Sequence, residues 1–403
     1  MVQPAAWLAL MFLSGIALFL SLWILLPAPT FSLLPLAVGA PEVCLWLLLG
    51  NGFLLLIWLL IWLFSFKSGL ASWLISVMLG MTALGLVLSG WPLLQIPAAV
   101  RRAELAMQAI PVASSAASSI DPVGLRPQPF VWRDALRGIA LPQVRHSSVV
   151  FAAPAGVPLT LEIDRPLKQD GQRLNPTLIV IYGGAWRSGS PKSNPQFNRY
   201  LAGQGYTVIA LDYRHAPQYR FPAQLIDVQT ALKFIWDHAA EYGVDLGRVA
   251  LLGRSAGAHL AMLAGYSLEL PIRAVVNYYG PVDLVKGYYD PPQPDPIDTT
   301  AVLQTFIGGN PTEYPDLYRQ ASPIYAVKSG LPPTLLIYGG RDHVVRPEYG
   351  RVLYQRLLAN QNQAVFIEIP WAEHAFDAIF SGPSNQLALY YTERFLRAVL
   401  QER

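Results

Sequence analysis

Charge is scarce in this chain, and cysteine is nearly absent. Of 403 residues, 29 are basic and 26 acidic, 14% in all, where an ordinary soluble protein carries about a quarter. The shortage is concentrated, because residues 1–100 hold only Glu42 and Lys67. Cys44 is the single cysteine, which excludes a disulfide framework and a cysteine-based metal site. There is no block of basic residues and the net charge is only +3, which argues against a nucleic-acid partner. Apolar residues are not lacking. They make up 53% of the chain, and the mean hydropathy is +0.34, so disorder is excluded. No G-x-G-x-x-G phosphate loop follows a strand, since Gly183-Gly184 lacks that spacing. No metal or organic cofactor is implied.

What the first third does contain is long apolar runs without internal charge, at about 6–26, 43–66 and 70–94. Each is near or above the ~20 residues that a helix needs to cross ~30 Å of hydrocarbon. Residues 1–96 are therefore expected to be a membrane region with three transmembrane helices, in contact with lipid. Pro27, Pro29, Pro35 and Pro41 predict a non-helical first connection. Lys67-Ser68-Gly69 predicts a tight turn. A cleaved signal peptide is the alternative for the first run, but a basic n-region is missing. Lys67 alone favours a cytoplasmic second turn, whereas Arg101 and Arg102 lean toward a cytoplasmic C-terminal domain. Residues 97–145 read as a linker. It opens with an interfacial or solvated helix around Arg101–Ile110 and continues through Ala and Ser at 112–119.

From about residue 146 to 403 the pattern changes to short Val/Ile/Leu runs at 159–163, 177–182, 206–211, 248–252, 274–278, 334–338 and 365–369. Helical patterns at 224–242, 348–359 and 387–400 lie between or after them. This alternation predicts an α/β doubly wound, mostly parallel sheet, with its chemistry at the carboxyl ends of the strands.

One motif sits at such an end. Gly253-Arg254-Ser255-Ala256-Gly257 follows a strand directly and opens a helical pattern, as a nucleophile elbow requires. The turn is sharp enough to need glycine on both sides of the serine. A serine hydroxyl also needs a base, which should follow the last strand, and an acid, which should follow the strand before it. His374 and Asp342 occupy those places, giving the order Ser255, Asp342, His374. Glu348 is the alternative acid. His259, one helical turn beyond Ser255, reads as packing beneath the elbow. His215 and His343 read as structural or surface residues, and His146 and His238 as surface residues. Oxyanion donors are expected from the backbone N–H of Ala256 and of Gly183, Gly184 and Ala185. The segment 283–311 is expected to cap the pocket, with Tyr288 and Tyr289 against the substrate.

These motifs resemble the α/β-hydrolase fold, and within it the hormone-sensitive-lipase-like and feruloyl-esterase-like carboxylesterases. Supporting stretches are Tyr182-Gly183-Gly184-Ala185-Trp186, Asp212-Tyr213-Arg214-His215-Ala216-Pro217, Tyr279-Gly280-Pro281-Val282-Asp283 and Ala321-Ser322-Pro323-Ile324. The likeness covers roughly 150–400. It implies serine esterase activity on a small or lipid-like ester, with Trp186 also near substrate and with Asp212 and Asp227 structural. Two positions depart from the family pattern. Tyr182 stands where His is usual, and Arg254 where Asp is frequent among lipase-like members. Kynurenine formamidases and isoprenylcysteine methylesterases are similar too, so hydrolysis of an amide or formamide and hydrolysis of a prenylated or otherwise lipophilic ester are alternatives. A catalytically dead, membrane-tethered binding module is the alternative outside enzymes. Oligomeric state is left open.

Overall fold

The computed structural model of the chain describes residues 4–64, 70–110, 124–167 and 174–400. The expected turn at Lys67-Ser68-Gly69 and the Ala/Ser run at 112–119 lie outside them. Four helices come first: α1 (Pro4–Leu22), α2 (Leu34–Glu42), α3 (Cys44–Phe64) and α4 (Leu70–Met107). Of these, α1, α3 and α4 are long and apolar enough to cross a membrane.

Apolar faces alone do not bring helices together in an apolar solvent, so small and polar side chains carry the contact. Ser21 on α1 lies 3.0 Å from Ser89 on α4, and the Asn51 amide of α3 donates to Ser21 at 3.0 Å. Trp58 donates its indole N–H to Ser14 at 2.9 Å. Gly85 lets Asn51 in, because a Cβ there would lie 2.2 Å from the Asn51 Oδ1.

Two expectations for this region need correction. The proline-rich connection is partly helical, since Pro35 falls at the start of α2, where a missing N–H costs nothing, and Pro41 falls in its last turn. Nor is the Arg101–Ile110 segment a separate interfacial helix. Residues 101–107 continue α4, whose 38 residues make about 57 Å at ~1.5 Å per residue, far more than the hydrocarbon needs. The excess packs on the C-terminal domain. Ala99 and Ala103 are buried, and Val100 accepts a hydrogen bond from Tyr391 at 3.1 Å.

After α5 (Trp132–Arg137) come eight strands: β1 (Val144–Ala152), β2 (Leu159–Pro166), β3 (Asn175–Ile181), β4 (Thr207–Leu211), β5 (Val244–Arg254), β6 (Ile272–Tyr278), β7 (Thr334–Gly339) and β8 (Ala364–Ile369). They form one sheet in the order β1-β2-β4-β3-β5-β6-β7-β8. β2 runs antiparallel to β1 and β4, and the remaining pairs are parallel. The parallel strands are apolar throughout because both faces are covered. The covering helices are α6 (Pro195–Gly203), α7 (Ala223–Asp237), α8 (Ala239–Tyr242), α9 (Ala256–Ser267), α13 (Pro347–Ala359) and α14 (Pro383–Val399), while α10 (Leu284–Tyr289), α11 (Thr299–Ile307) and α12 (Pro315–Gln320) lie in the segment between β6 and β7. β1 has no counterpart in the expected strands. As a half-exposed edge strand it carries Arg145, His146, Ser147 and Ser148, and so shows no unbroken apolar run.

The N-terminal helices share one core with this domain, through Ala37, Val38 and Ala40 of α2 and through Trp23 and Ile24. Glu42 is buried at the junction, where its carboxylate accepts from the Ser384 N–H at 3.0 Å near the start of α14. That bond and the helix dipole favour the ionised form. Burial outweighs them, helped by the negative charge of Asp377, and raises the group from 4.5 to about 8.

Two predictions follow from these contacts. Gly85→Val should destabilise the three-helix unit by about 1–3 kcal/mol through overpacking, with part of the loss restored by Asn51→Ala in the same chain, as read by thermal unfolding in detergent. A carboxyl raised in the folded state loses its stabilising share as pH climbs through the interval from 4.5 to about 8. Glu42→Gln should therefore flatten the fall in Tm across that interval and melt above the wild type at its upper end.

Candidate active site

Ser255 stands between β5 and α9 with φ 51° and ψ −121°, a strained backbone that costs on the order of 1–3 kcal/mol. Its neighbours permit that turn by being glycine. A Cβ at Gly253 would lie 2.2 Å from the Gly257 carbonyl oxygen, and one at Gly257 would lie 2.1 Å from that of Ile181. The hydroxyl is thereby lifted over the carboxyl edge of the sheet.

Two loops meet it there. The loop after β7 carries Asp342, and the loop after β8 carries His374. His374 Nε2 lies 3.0 Å from Ser255 Oγ, and its Nδ1–H donates to Asp342 Oδ2 at 2.8 Å. The other Asp342 oxygen accepts from the N–H groups of Val344 at 2.8 Å and Val345 at 2.7 Å. Asp342 is 4% exposed and His374 7%. Burial pushes the Asp342 carboxyl above its ordinary value, while the imidazole and the Val345 amide pull it back. The structure thus brings together the three residues that the sequence order singled out. The alternative acid, Glu348, is exposed on α13 and pairs with Arg346 and Arg351.

The loop after β3 approaches from the other side. Gly184 has φ +128°, and Ala185 and Trp186 also take positive φ. A Cβ at Gly184 would lie 2.1 Å from the Ser188 carbonyl oxygen. Ala256 is the first residue of α9, so its amide has no acceptor within the helix.

Tyr182, at the position where the family usually has His, is held by the loop after β4. Its hydroxyl donates to Asp212 at 2.6 Å and accepts from His215 at 2.8 Å, and its ring stacks on Tyr213 with centroids 4.4 Å apart. Beneath the elbow, His259 Nδ1 accepts from the Trp186 indole at 3.2 Å and its Nε2–H donates to the Ala321 carbonyl at 2.5 Å. Burial pushes this imidazole down to about 4, so it stays neutral and keeps one tautomer. Trp186 in turn stacks on Phe306 at 4.1 Å.

A cavity of about 60 Å³ opens over Ser255, lined by Ala185, Trp186 and Ala256 on one side and by Leu284, Ile297, Val302, Leu303, Val344 and Val345 on the other. The segment 283–311 supplies α10 and α11 as its cover. Tyr288 and Tyr289 are on α10 but not on the cavity wall. Tyr289 is 63% exposed, and the Tyr288 hydroxyl accepts from Gln304 at 2.8 Å. Gly287, between their turn and Leu284, is the α10 residue that reaches the cavity with Leu284.

The roles of several residues around the site depend on distant partners. Arg254 is buried, bonds Asp377 through Nε and lies over the Phe197 ring at 4.3 Å. Tyr279 donates its hydroxyl to the same carboxylate and sets its ring 4.6 Å from that of His374. Glu373 is buried and bonds both His343 and the His374 amide. Among the described residues, no group of three or more His, Cys, Asp or Glu is placed to hold a metal ion.

Known proteins resemble the part of the chain that holds this site. The BD-FAE family model matches residues 161–357, a span that includes Ser255 and Asp342 and stops short of His374. A protein of Streptomyces hygroscopicus named acetyl-hydrolase is 31% identical over 256 residues, covering 60% of this chain and 81% of its own length. The chain belongs to the α/β-hydrolase-fold serine esterases. Esterase LipC of Mycobacterium tuberculosis is 35% identical over 239 residues, 54% of this chain and 58% of that protein. The chain spans little more than half the length of the mycobacterial relatives it matches. A hyperthermophilic esterase structure from the archaeon Pyrobaculum calidifontis superposes with a TM-score of 0.57 at 26% identity, covering 64% of this chain and 86% of that one.

Tyr182→Phe would leave Asp212 without its phenolic donor. It should cost about 1–3 kcal/mol of domain stability, measured by denaturant unfolding, and lower esterase turnover by loosening the Gly183-Gly184-Ala185 loop.

Proposed function

We propose that this chain is a membrane-anchored serine carboxylesterase that prefers short acyl groups. The observation that carries the reading is His374 hydrogen-bonded on one side to Ser255 and on the other to Asp342, directly beneath an apolar cavity. In this reading Ser255 Oγ attacks the ester carbonyl while His374 Nε2 takes its proton and hands it to the departing alcohol. The acyl-enzyme is then opened by water, with His374 again as base. Asp342 keeps the imidazole in the tautomer whose Nε2 is free to accept, and offsets the charge of the imidazolium. The amides of Ala256 and of Gly183, Gly184 and Ala185 receive the oxyanion.

Cavity size supports a short acyl group. The cavity over Ser255 is small, at about 60 Å³, which favours acyl chains of a few carbons. The name of the Streptomyces relative, acetyl-hydrolase, points the same way. Three apolar helices of spanning length support the anchor and a membrane location. With that anchor, esters that partition into lipid reach the site at raised local concentration.

The test uses the full chain in detergent with p-nitrophenyl esters from acetate to octanoate, beside an N-formyl arylamine. We expect acetate to butyrate to be preferred, octanoate to be slower by tenfold or more, and Ser255→Ala to remove turnover by about 10⁴-fold or more. Turnover unaffected by Ser255→Ala sinks the mechanism. A formamide hydrolysed faster than any ester moves the assignment to amide hydrolysis.

A further inference from the structure

Of residues 341–343, two bond the base loop and one bonds the N-terminal unit. Asp342 holds His374. His343 donates its backbone N–H to Glu373 Oε1 at 2.6 Å and its Nδ1–H to Glu373 Oε2 at 2.6 Å, while Glu373 Oε1 also accepts the His374 N–H at 2.9 Å. The acid loop and the base loop are therefore tied by a buried carboxylate as well as by the Asp342–His374 bond. Arg341 faces the other way. Its guanidinium donates to the carbonyl of Leu25, in the connection between α1 and α2. The base loop is braced from the same unit. Gly39 of α2 lies against Ile379, Glu42 sits against Gly382, and the Glu42 carboxylate accepts the Ser384 N–H at 3.0 Å. Both loops that shape the imidazole thus rest on the segment 25–42, which includes α2 and joins α1 to α3.

We propose that the N-terminal helical unit is part of the catalytic framework, with Arg341 the positioning residue that couples its α1–α2 connection to the loop carrying Asp342. The proposal rests on the Ser255, Asp342 and His374 reading. Arg341 touches neither the substrate cavity nor the reacting atoms and acts through Asp342. A carboxylate displaced by a fraction of an ångström no longer meets Nδ1–H squarely, and misplacement on the order of 1 Å costs about 10²-fold in rate.

The test compares Arg341→Met, which keeps the aliphatic stem, Arg341→Lys, which keeps a charged donor, and Gly39→Phe, which wedges α2 off Ile379 far from the reacting atoms. Each is made in the full chain in lipid nanodiscs and assayed with p-nitrophenyl butyrate, with Ser255→Ala in parallel. Arg341→Met should lower kcat between about tenfold and 10²-fold with KM unchanged. Arg341→Lys should recover most of the loss. Gly39→Phe should lower kcat by itself and add little on top of Arg341→Met, the non-additivity expected of one shared contact. Thermal melting confirms that each variant is folded. A folded Arg341→Met with wild-type kcat overturns the proposal. So does a Gly39→Phe variant with unchanged kcat, which would make Arg341 a local brace only. If Ser255→Ala retains turnover, the triad reading itself fails, an outcome distinct from either.

Discussion

The close approach of three backbones at the nucleophile elbow is the constraint on which the rest of the molecule depends. The carbonyls of Ile181 and Gly257 occupy the space where side chains at 257 and 253 would project. The chain can pass from β5 into α9 there only if it carries no Cβ on either side of Ser255. That passage puts the first turn of α9 under the serine and its orphan amides beside the cavity. It also sets the distance to the loop after β3, whose residue Gly183 lies so near that a Cβ would come within 2.9 Å of the Arg254 carbonyl oxygen. A sheet of parallel strands delivers all these loops to one edge.

Around that point the polar groups are paired in a fixed sense. His374 has one nitrogen for Asp342 and the other for Ser255. His259 has one for Trp186 and the other for Ala321, and burial keeps it neutral. Tyr182, just before Gly183, uses its hydroxyl as donor to Asp212 and acceptor from His215, which ties the end of β3 to the loop after β4. Arg254 and Asp377 form a second buried pair under the elbow, and Tyr279 bridges it to the face of His374.

The N-terminal third is continuous with this architecture. Its three long helices are apolar enough to cross a membrane and meet through serine, asparagine and glycine. Its short helix α2 and the overhanging end of α4 are buried against α14 and β8 in one core with the hydrolase domain. A composition that splits at residue 100 therefore does not correspond to two independent bodies.

Much of this was legible in the sequence because its causes are local. Apolar runs of 20 residues, strands buried on both faces, and a serine between glycines at a strand-to-helix turn each leave a mark within a few neighbouring positions. The order Ser255, Asp342, His374 was readable because Ser255 directly follows β5 and the other two lie in the loops after β7 and β8. Other features depend on partners far away in the chain and leave no such mark. β1 is an edge strand whose polar residues face solvent. Tyr288 and Tyr289 are on the cap helix, but its rotation turns them from the cavity and presents Leu284 and Gly287 instead. The proline connection folds into α2 because Pro35 and Pro41 fall at its ends. Glu373, Arg341 and Glu42 read as ordinary charges, yet each finds its partner 30 to 342 positions away. The sequence alone determined the elements, the elbow and the order of its three polar residues, since these rest on periodicity and backbone sterics. Only the tertiary structure decided how the loops are held against one another and against the N-terminal helices, because that depends on which buried donor meets which acceptor once the chain has closed.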